Sequence, residues 1–450
     1  MSPELLFNVI VFAGAFITIP IARMRYGTWL TSGLLYSSGW IIAVVCYHYL
    51  NLVKPDGYEI PTSSFVIGSK LVFWGHVGVI LGHLFFGPPK IRYREFYNYF
   101  SSIGHFLNKY YLWICGAVFA VGFIAFAEKM SSVGFSIFTL SDIRQDHVHS
   151  SFSVFQRLGI HGGLILGIFV SLSAVDDTLK ERVNVRRILA IIIALLPLAL
   201  SQGSRKEFMN PVITYALSTF LVMQVRLISG HRIKWELLGR MYMKFLPVCL
   251  ALLFVFTVYG QLRGVGSKEM AGKFTLFSLV DAPLEFSVSV CSWYASSLYS
   301  VGPITAFEDV TFPRMHGRIY FEPLFKVPEK LGLIQDKSVL LYLARQDAFN
   351  NFNEGIVAFT PGTMGKILTR EVGLKLAPYF GGLAMFLAVA MSNRWKRNSI
   401  FGFTLVLIFA TQALMSSQTL RGFTMIVMYQ LIFAFCFDYW HRKFRRTLRA

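Results

Sequence analysis

Three arginines stand where the charge pattern of a helical membrane protein disfavours them. Arg205, Arg263 and Arg421 each lie at the end of a hydrophobic segment that we predict to face outward, whereas basic residues concentrate in the loops on the opposite side. A guanidinium group offers a planar fork of donors that matches phosphate oxygens, so we interpret the three as ligands of one diphosphate. The alternative for each arginine alone is a side chain that snorkels to a lipid phosphate.

The residues around these arginines favour anion binding. Arg205 lies in the connection 203–207, where a Gly-Ser turn beside a helix end can present backbone N–H groups together with the guanidinium group. Arg263 lies in a Gln-Leu-Arg-Gly motif just beyond another apolar segment, and Arg421 is followed by a glycine. The same arrangement therefore recurs at the outward ends of three predicted helices, which we call the helix mouths.

Further candidates lie in a long loop, residues 261–371. Transfer of a group onto a hydroxyl needs a general base within reach of the acceptor oxygen, and we predict Glu354 or His316 for that role. Glu354 is favoured because it follows a cluster of asparagines and precedes a glycine. The alternative for each acid is a solvated surface charge or a salt bridge to a nearby arginine. The loop also supplies additional candidate ligands for a diphosphate: Arg314, Arg318 and Arg345.

The elements that must position these residues are membrane-spanning helices. The 450-residue chain is 54% hydrophobic, its mean hydropathy is +0.53, and its apolar residues fall in stretches of about 20, the length of a helix that crosses a bilayer. The net charge of +19 raises the alternative of nucleic-acid binding. Because many of the basic residues lie in short loops between apolar segments, we attribute the charge to membrane orientation instead.

We predict an all-α, polytopic membrane protein with about 11 transmembrane helices and one large extracytoplasmic loop. The predicted spans are 3–21, 29–50, 65–87, 110–128, 157–175, 187–202, 207–227, 242–260, 374–392, 400–416 and 422–439. Alternate loops are basic, which places the N-terminus outside and the C-terminus inside. Two of these loops contain Lys180, Arg182, Arg186 and Arg187, and Arg394, Lys396 and Arg397. The predicted domains are helices 1–8 in residues 1–260, the large loop with short amphipathic helices in 261–373, and helices 9–11 with a basic tail in 374–450.

Other kinds of site are weakly indicated or not indicated. Asp142, Asp146, His147 and His149 occur together in one outward loop, but a His-x-His pair in a loop is more often incidental than metal-binding. We find no nucleotide-binding glycine motif and no nucleophile elbow, so we predict no metal and no cofactor. His76 and His83 lie on one face of the third span, and we predict that they form interhelical hydrogen bonds.

Taken together, the motifs resemble the O-antigen polymerase (Wzy) family, most closely its enterobacterial common antigen branch. The resemblance covers about residues 187–439, and the first half of the chain matches only as generic spans. It is carried by Gly203-Ser204-Arg205, Gln261-Leu262-Arg263-Gly264, the Asn-rich turn at 350–353, Thr360-Pro361-Gly362-Thr363-Met364-Gly365, and Arg421.

The resemblance implies a GT-C-like, metal-independent membrane glycosyltransferase. Such a polymerase transfers a growing glycan from undecaprenyl diphosphate onto the next lipid-linked repeat unit at the outer face of the bacterial inner membrane, with the N-terminus periplasmic and the C-terminus cytoplasmic. It implies as partners the lipid-linked oligosaccharide repeat units, membrane lipid, a chain-length regulator protein and a flippase, and no nucleic acid. The alternatives are a lipid-linked glycan transporter and an O-antigen ligase. Ligases of the related type have a histidine near the end of the large loop, where this chain has asparagines.

Overall fold

A computed structural model describes residues 1–53, 62–133, 154–202, 206–232, 375–416 and 425–448, with a few isolated positions between 236 and 333. The described residues are helical and include no strand. Their helices are α1 (Pro3–Tyr26), α2 (Ser32–Val53), α3 (Thr62–Phe86), α4 (Tyr93–Phe100), α5 (Ile103–Val133), α6 (Val154–Leu179), α7 (Val185–Gln202), α8 (Lys206–Ile228), α9 (Ala377–Arg394), α10 (Ile400–Leu414) and α11 (Met425–Thr447).

The helices confirm the all-α class and the multi-pass character of the chain. Within the described residues, six helical segments are long and apolar enough to cross a membrane. Every predicted span except 242–260 overlaps a described helix, and 242–260 lies outside the described residues apart from Met243. The total of 11 spans, the large loop and the domain boundaries at 260 and 373 therefore stay predictions.

The first helix shows how local sequence sets a boundary. The Ser2 hydroxyl accepts a hydrogen bond from the backbone N–H of Leu5 at 3.2 Å, and Pro3 occupies the first helical position, where its missing N–H has no consequence. At the other end Gly27 adopts φ 68°, and its N–H donates to the Arg23 carbonyl at 2.8 Å. Only glycine adopts that left-handed conformation without strain, so α1 ends there.

The described residues belong to two compact units. The first contains α1, α2, α3, α9 and the end of α10. The second contains α4, α5, α6, α7 and α8, together with the start of α10 and α11 from Tyr429 onward. Each unit has its own packing, which follows from different residue types.

Glycines bring α3 and α9 into backbone contact in the first unit. A Cβ atom on Gly78 would lie 2.0 Å from the carbonyl oxygen of Gly382, and a Cβ atom on Gly382 would lie 2.6 Å from the carbonyl oxygen of Trp74. No larger residue fits at either position without separating the helices. Small residues at such contacts let helices gain dispersion energy inside a membrane, where lipid offers no hydrophobic driving force.

The two histidines of α3 are buried in the same unit and differ in their bonding. His76 Nδ1 and the Thr18 hydroxyl are hydrogen-bonded at 2.9 Å, which confirms the interhelical bond predicted for His76. His83 packs edge-on against the ring of Tyr26, with 4.9 Å between centroids. Neither ring nitrogen of His83 has a hydrogen-bond partner among the described residues, so the same prediction is not met there.

Aromatic side chains form the core of the second unit at the short helix α4. Phe96 and Phe100 lie 4.8 Å apart on one face of α4, and both pack against Phe403 of α10 at 6.2 and 5.8 Å. All three side chains are buried. The opposite face of α4 carries Arg94 and Glu95, which are exposed, so the helix is amphipathic and its sequence explains which side faces the core.

Candidate functional site

The residues predicted to form the site lie outside the described residues. This holds for the three arginines at the helix mouths, for the additional basic candidates of the large loop and for both candidate bases: Arg205, Arg263, Arg421, Arg314, Arg318, Arg345, Glu354 and His316. Their convergence on one diphosphate therefore stays a prediction.

The structure does describe helices that flank two of these arginines. Helix α7 ends at Gln202 and α8 begins at Lys206, so only three residues separate the two helices, which pack against each other. The helix bounds agree with the predicted spans 187–202 and 207–227, which leave only a short connection around Arg205. Helix α10 ends at Leu414 and α11 begins at Met425, on either side of the segment that contains Arg421.

A cluster of buried charged side chains lies where α6 ends and α7 begins. Arg187 has no exposed surface, and its Nη2 atom donates to Oδ2 of Asp176 at 2.9 Å and to Oδ1 of Asp177 at 2.8 Å. Lys180 forms a second ion pair with Asp176 at 2.6 Å, and the Tyr215 hydroxyl donates to Asp177 at 3.0 Å. We call these five residues the Arg187 cluster.

Charge is balanced within the Arg187 cluster. Two carboxylates face one guanidinium and one ammonium group, so the formal charges cancel and no surplus remains to attract an ion. Nε and Nη1 of Arg187 are buried and have no hydrogen-bond partner among the described residues, a costly state unless water satisfies them. The cluster is therefore best explained as a device that fixes the ends of α6 and α7 against α8.

A further ion pair joins the turn after α6 to α8, and a hydrogen bond joins α8 to the first residue of α4. Arg226 of α8 binds Glu181 at 3.1 Å, and its Nε atom donates to the Tyr93 hydroxyl at 3.3 Å. Deeper in the second unit, Arg397 has an exposed fraction of 1% and its Nη1 atom donates to Gln224 at 2.6 Å. Arg226 is thus partly buried and Arg397 fully buried, and each binds a partner within this unit.

A third polar group surrounds Asp438 on α11. Its carboxylate accepts from the Tyr99 hydroxyl, from the backbone N–H of Ile400 at 2.9 Å, and from Arg442 at 2.7 Å. Three elements of the second unit, α4, α10 and α11, are therefore joined through one side chain. Asp438 thereby supplies an acceptor for one N–H group of the first turn of α10, where backbone N–H groups have no partner within the helix.

His441 lies one turn from Asp438, beyond the predicted last span 422–439. Its Nε2 atom and the Ser102 hydroxyl are 3.1 Å apart, within hydrogen-bond distance. Burial, together with the charges of Arg445 and Arg442, lowers the pKa of His441 to about 4. The imidazole is consequently neutral at physiological pH.

The second unit also contains a partly open, apolar pocket between α6, α7 and α8. It is lined by aliphatic side chains together with Ser173 and Tyr215. The Ser173 hydroxyl is buried and has no hydrogen-bond partner among the described residues. In the described residues, no three histidine, cysteine or acidic side chains converge as a metal site would require. The loop 142–149 lies outside the described residues.

Sequence reasoning missed the Arg187 cluster. Lys180 and Arg187 were predicted only as basic loop residues that set orientation, and the structure shows that Arg187 is fully buried. A signal was present: two adjacent aspartates, Asp176 and Asp177, occur in the last turn of an apolar helix, and buried acids require a partner nearby in space. Arg187, ten residues after Asp177 and across a short turn, is such a partner.

Comparison of the chain with protein-family models, with curated proteins and with solved structures gives no match.

Proposed function

We propose that this chain is a polysaccharide polymerase of the lipid-linked type. It transfers a growing glycan from undecaprenyl diphosphate onto the next lipid-linked repeat unit at the outer face of the bacterial inner membrane. The observation that carries the proposal is the recurrence of an arginine at three outward helix mouths, Arg205, Arg263 and Arg421, against the prevailing charge bias. The motifs shared with the O-antigen polymerase family support it.

The α7–α8 hairpin supports the role assigned to Arg205. Two packed helices separated by only three residues leave Arg205 in the connection, one residue before Lys206 begins α8. A guanidinium group beside a helix N-terminus adds its own donors to unpaired backbone N–H groups, a combination suited to phosphate oxygens.

The proposed chemistry needs a stabilised leaving group and a base. The diphosphate gains negative charge as the glycosidic bond breaks, and guanidinium groups preplaced near a low-dielectric boundary stabilise that charge. Arg314, Arg318 and Arg345 are proposed as additional ligands of the diphosphate. Glu354, with His316 as the second candidate, removes the proton of the acceptor hydroxyl while the anomeric carbon passes through an oxocarbenium-like state.

Transport of a lipid-linked glycan is the competing function. A transporter would be expected to carry charged residues deep within several spans. The charged residues of the Arg187 cluster instead lie at the end of α6 and the start of α7, and their charges cancel. The position of Arg205, Arg263 and Arg421 at the outward ends of predicted spans favours the polymerase, and a ligase is disfavoured by the asparagines near the end of the large loop.

Purified protein incubated with lipid-linked repeat units tests the proposal directly. We expect polymer together with released undecaprenyl diphosphate, and we expect Arg205→Ala, Arg263→Ala and Arg421→Ala each to slow chain extension by about 10²–10³-fold, the usual cost of removing one donor to a developing charge. The control is Arg94→Ala, which removes an exposed arginine from α4. Polymer of normal length from all three variants would refute the proposal, and intact repeat units without any covalent product would favour transport.

A further inference from the structure

A cationic and aromatic patch lies where α5 and α11 meet in the second unit. The rings of Tyr110 and Trp440 are 4.3 Å apart between centroids, and Phe444 lies 6.1 Å from Tyr110. The ammonium group of Lys109 sits over the rings of Tyr110 and Phe444, at 5.4 and 5.6 Å from their centroids. Lys443, the residue before Phe444, is exposed. We call these five residues the α5–α11 patch.

The positive charge of the patch is not neutralised by carboxylates. Lys109 and Lys443 are exposed and form no ion pair with any acid in the described part of the chain. One residue away the situation differs, because Arg442 binds Asp438 at 2.7 Å. Lys109 is instead held by aromatic faces, which attract a cation and leave its N–H donors free for an anion.

Apolar side chains continue the patch along the helices. Trp113 lies one turn after Lys109 on α5 and has an exposed fraction of 80%, and Tyr439 on α11 has one of 67%. Tryptophan and tyrosine are typical of the membrane–water interface, where their rings meet both headgroups and acyl chains. A partner that fits therefore has an anionic head for the two lysines and an apolar tail for Trp113.

We propose that the α5–α11 patch binds an anionic phospholipid, with the headgroup phosphate between Lys109 and Lys443 and an acyl chain along Trp113. The charge complementarity and the adjacent exposed aromatic residues both point to this occupant. Lys109 lies near the start of α5 and Lys443 near the end of α11, and the contact between Ser102 and His441 brings these two ends together. Basic sites between helices near a membrane surface suit anionic headgroups. The site is independent of the polymerase chemistry proposed above.

Lipid titration of the delipidated, full-length protein tests the proposal. Phosphatidylglycerol and phosphatidylcholine in matching detergent are added separately, and bound lipid is counted by native mass spectrometry. We expect preferential binding of phosphatidylglycerol, weakened about 5-fold by Lys109→Gln and about 30-fold by Lys109→Gln with Lys443→Gln, from the usual contribution of one lysine near an anionic surface. The double change of both residues to arginine should keep the binding.

The matched control removes the same charge elsewhere. Lys90 and Lys396 are exposed lysines outside the patch, and changing both to glutamine should alter phosphatidylglycerol binding less than 2-fold if the site is local. An equal loss in this control would refute a defined site and indicate diffuse attraction. Equal affinity for phosphatidylcholine would refute the role of charge. Displacement of the lipid by millimolar glycerol 3-phosphate would refute a lipid in favour of a soluble phosphate.

Discussion

Replacing Arg187 by methionine should destabilise the protein severely. The guanidinium group has no exposed surface, and one of its nitrogens contacts two carboxylates, at 2.9 Å for Asp176 and 2.8 Å for Asp177. Methionine fills much of the same volume but offers no charge and no donor. Both carboxylates stay buried in the variant, so they lose their shared counter-ion without gaining water.

The two carboxylates are affected unequally, and this sets the expected magnitude. Asp176 keeps its ion pair with Lys180 at 2.6 Å, whereas Asp177 keeps only neutral donors, the Tyr215 hydroxyl at 3.0 Å and the backbone N–H of Asn184 at 3.3 Å. One buried carboxylate is thus left without a cation. Breaking a buried ion pair from one side costs about 3–5 kcal/mol, and we expect a loss in that range.

The measurement is the free energy of unfolding in detergent, with Arg186→Met as the matched control. Arg186 is the neighbouring residue and is exposed, so its replacement should change stability by no more than about 0.5 kcal/mol. Adding Asp177→Asn to Arg187→Met removes the stranded charge while keeping an acceptor for Tyr215. The double variant should recover about 1–3 kcal/mol, because residues in direct contact are energetically coupled.

Two results would contradict the reasoning. If Arg187→Met and Arg186→Met unfold alike, Arg187 is not a buried counter-ion. If Asp177→Asn gives no recovery, the destabilisation comes from lost packing around the guanidinium group and not from an unpaired carboxylate.

Two further predictions concern the packing of each unit. Gly78→Ala should cost about 1–3 kcal/mol by forcing α3 away from α9, whereas Gly116→Ala, whose Cβ would meet no atom within 4 Å, should be neutral or slightly stabilising; thermal unfolding of both compares them. Because the pKa of His441 is lowered to about 4 in the folded state, its contribution to stability is complete above the unfolded pKa near 6.5 and is lost as the pH falls toward 4. The free energy of unfolding should therefore fall between pH 7.5 and pH 5, and the fall should be up to about 2 kcal/mol larger in the wild type than in His441→Gln. An equal pH dependence of the two proteins would contradict this assignment.

Hydropathy predicted the long helices of the described residues, but it predicted neither the short amphipathic helix α4 nor the packing of the helices. The boundaries of α7 and α8 follow the predicted spans within two residues, because the length of an apolar stretch directly reports the need to cover backbone groups in lipid. The backbone contact between Gly78 and Gly382 could not be predicted, since it joins positions about 300 residues apart and glycine occurs in helices for several reasons.

Charge patterns predicted the loops but not the fate of individual residues in them. The rule that assigns Arg187 and Arg397 to basic loops counts charges near helix ends and contains no information about which helix packs alongside. Arg397 donates to Gln224 of α8, and Arg187 binds Asp177, which also accepts a hydrogen bond from Tyr215 of α8. The sequence around each arginine does not reveal these neighbours. The predicted ligands of the diphosphate, among them Arg205, lie outside the described residues and stay a prediction for the same reason: convergence is a property of tertiary structure.

The contact between Gly78 and Gly382 has a consequence for biosynthesis. During translation, α3 enters the membrane long before the ribosome reaches α9, a delay of roughly 15–60 s for about 300 residues at ordinary rates of elongation. Over that interval the notch at Gly78, formed by a residue without a side chain, faces lipid or an insertion factor instead of its final neighbour. Assembly of the first unit is therefore post-insertional, and nascent chains arrested before residue 377 should expose this notch to crosslinking from within the bilayer.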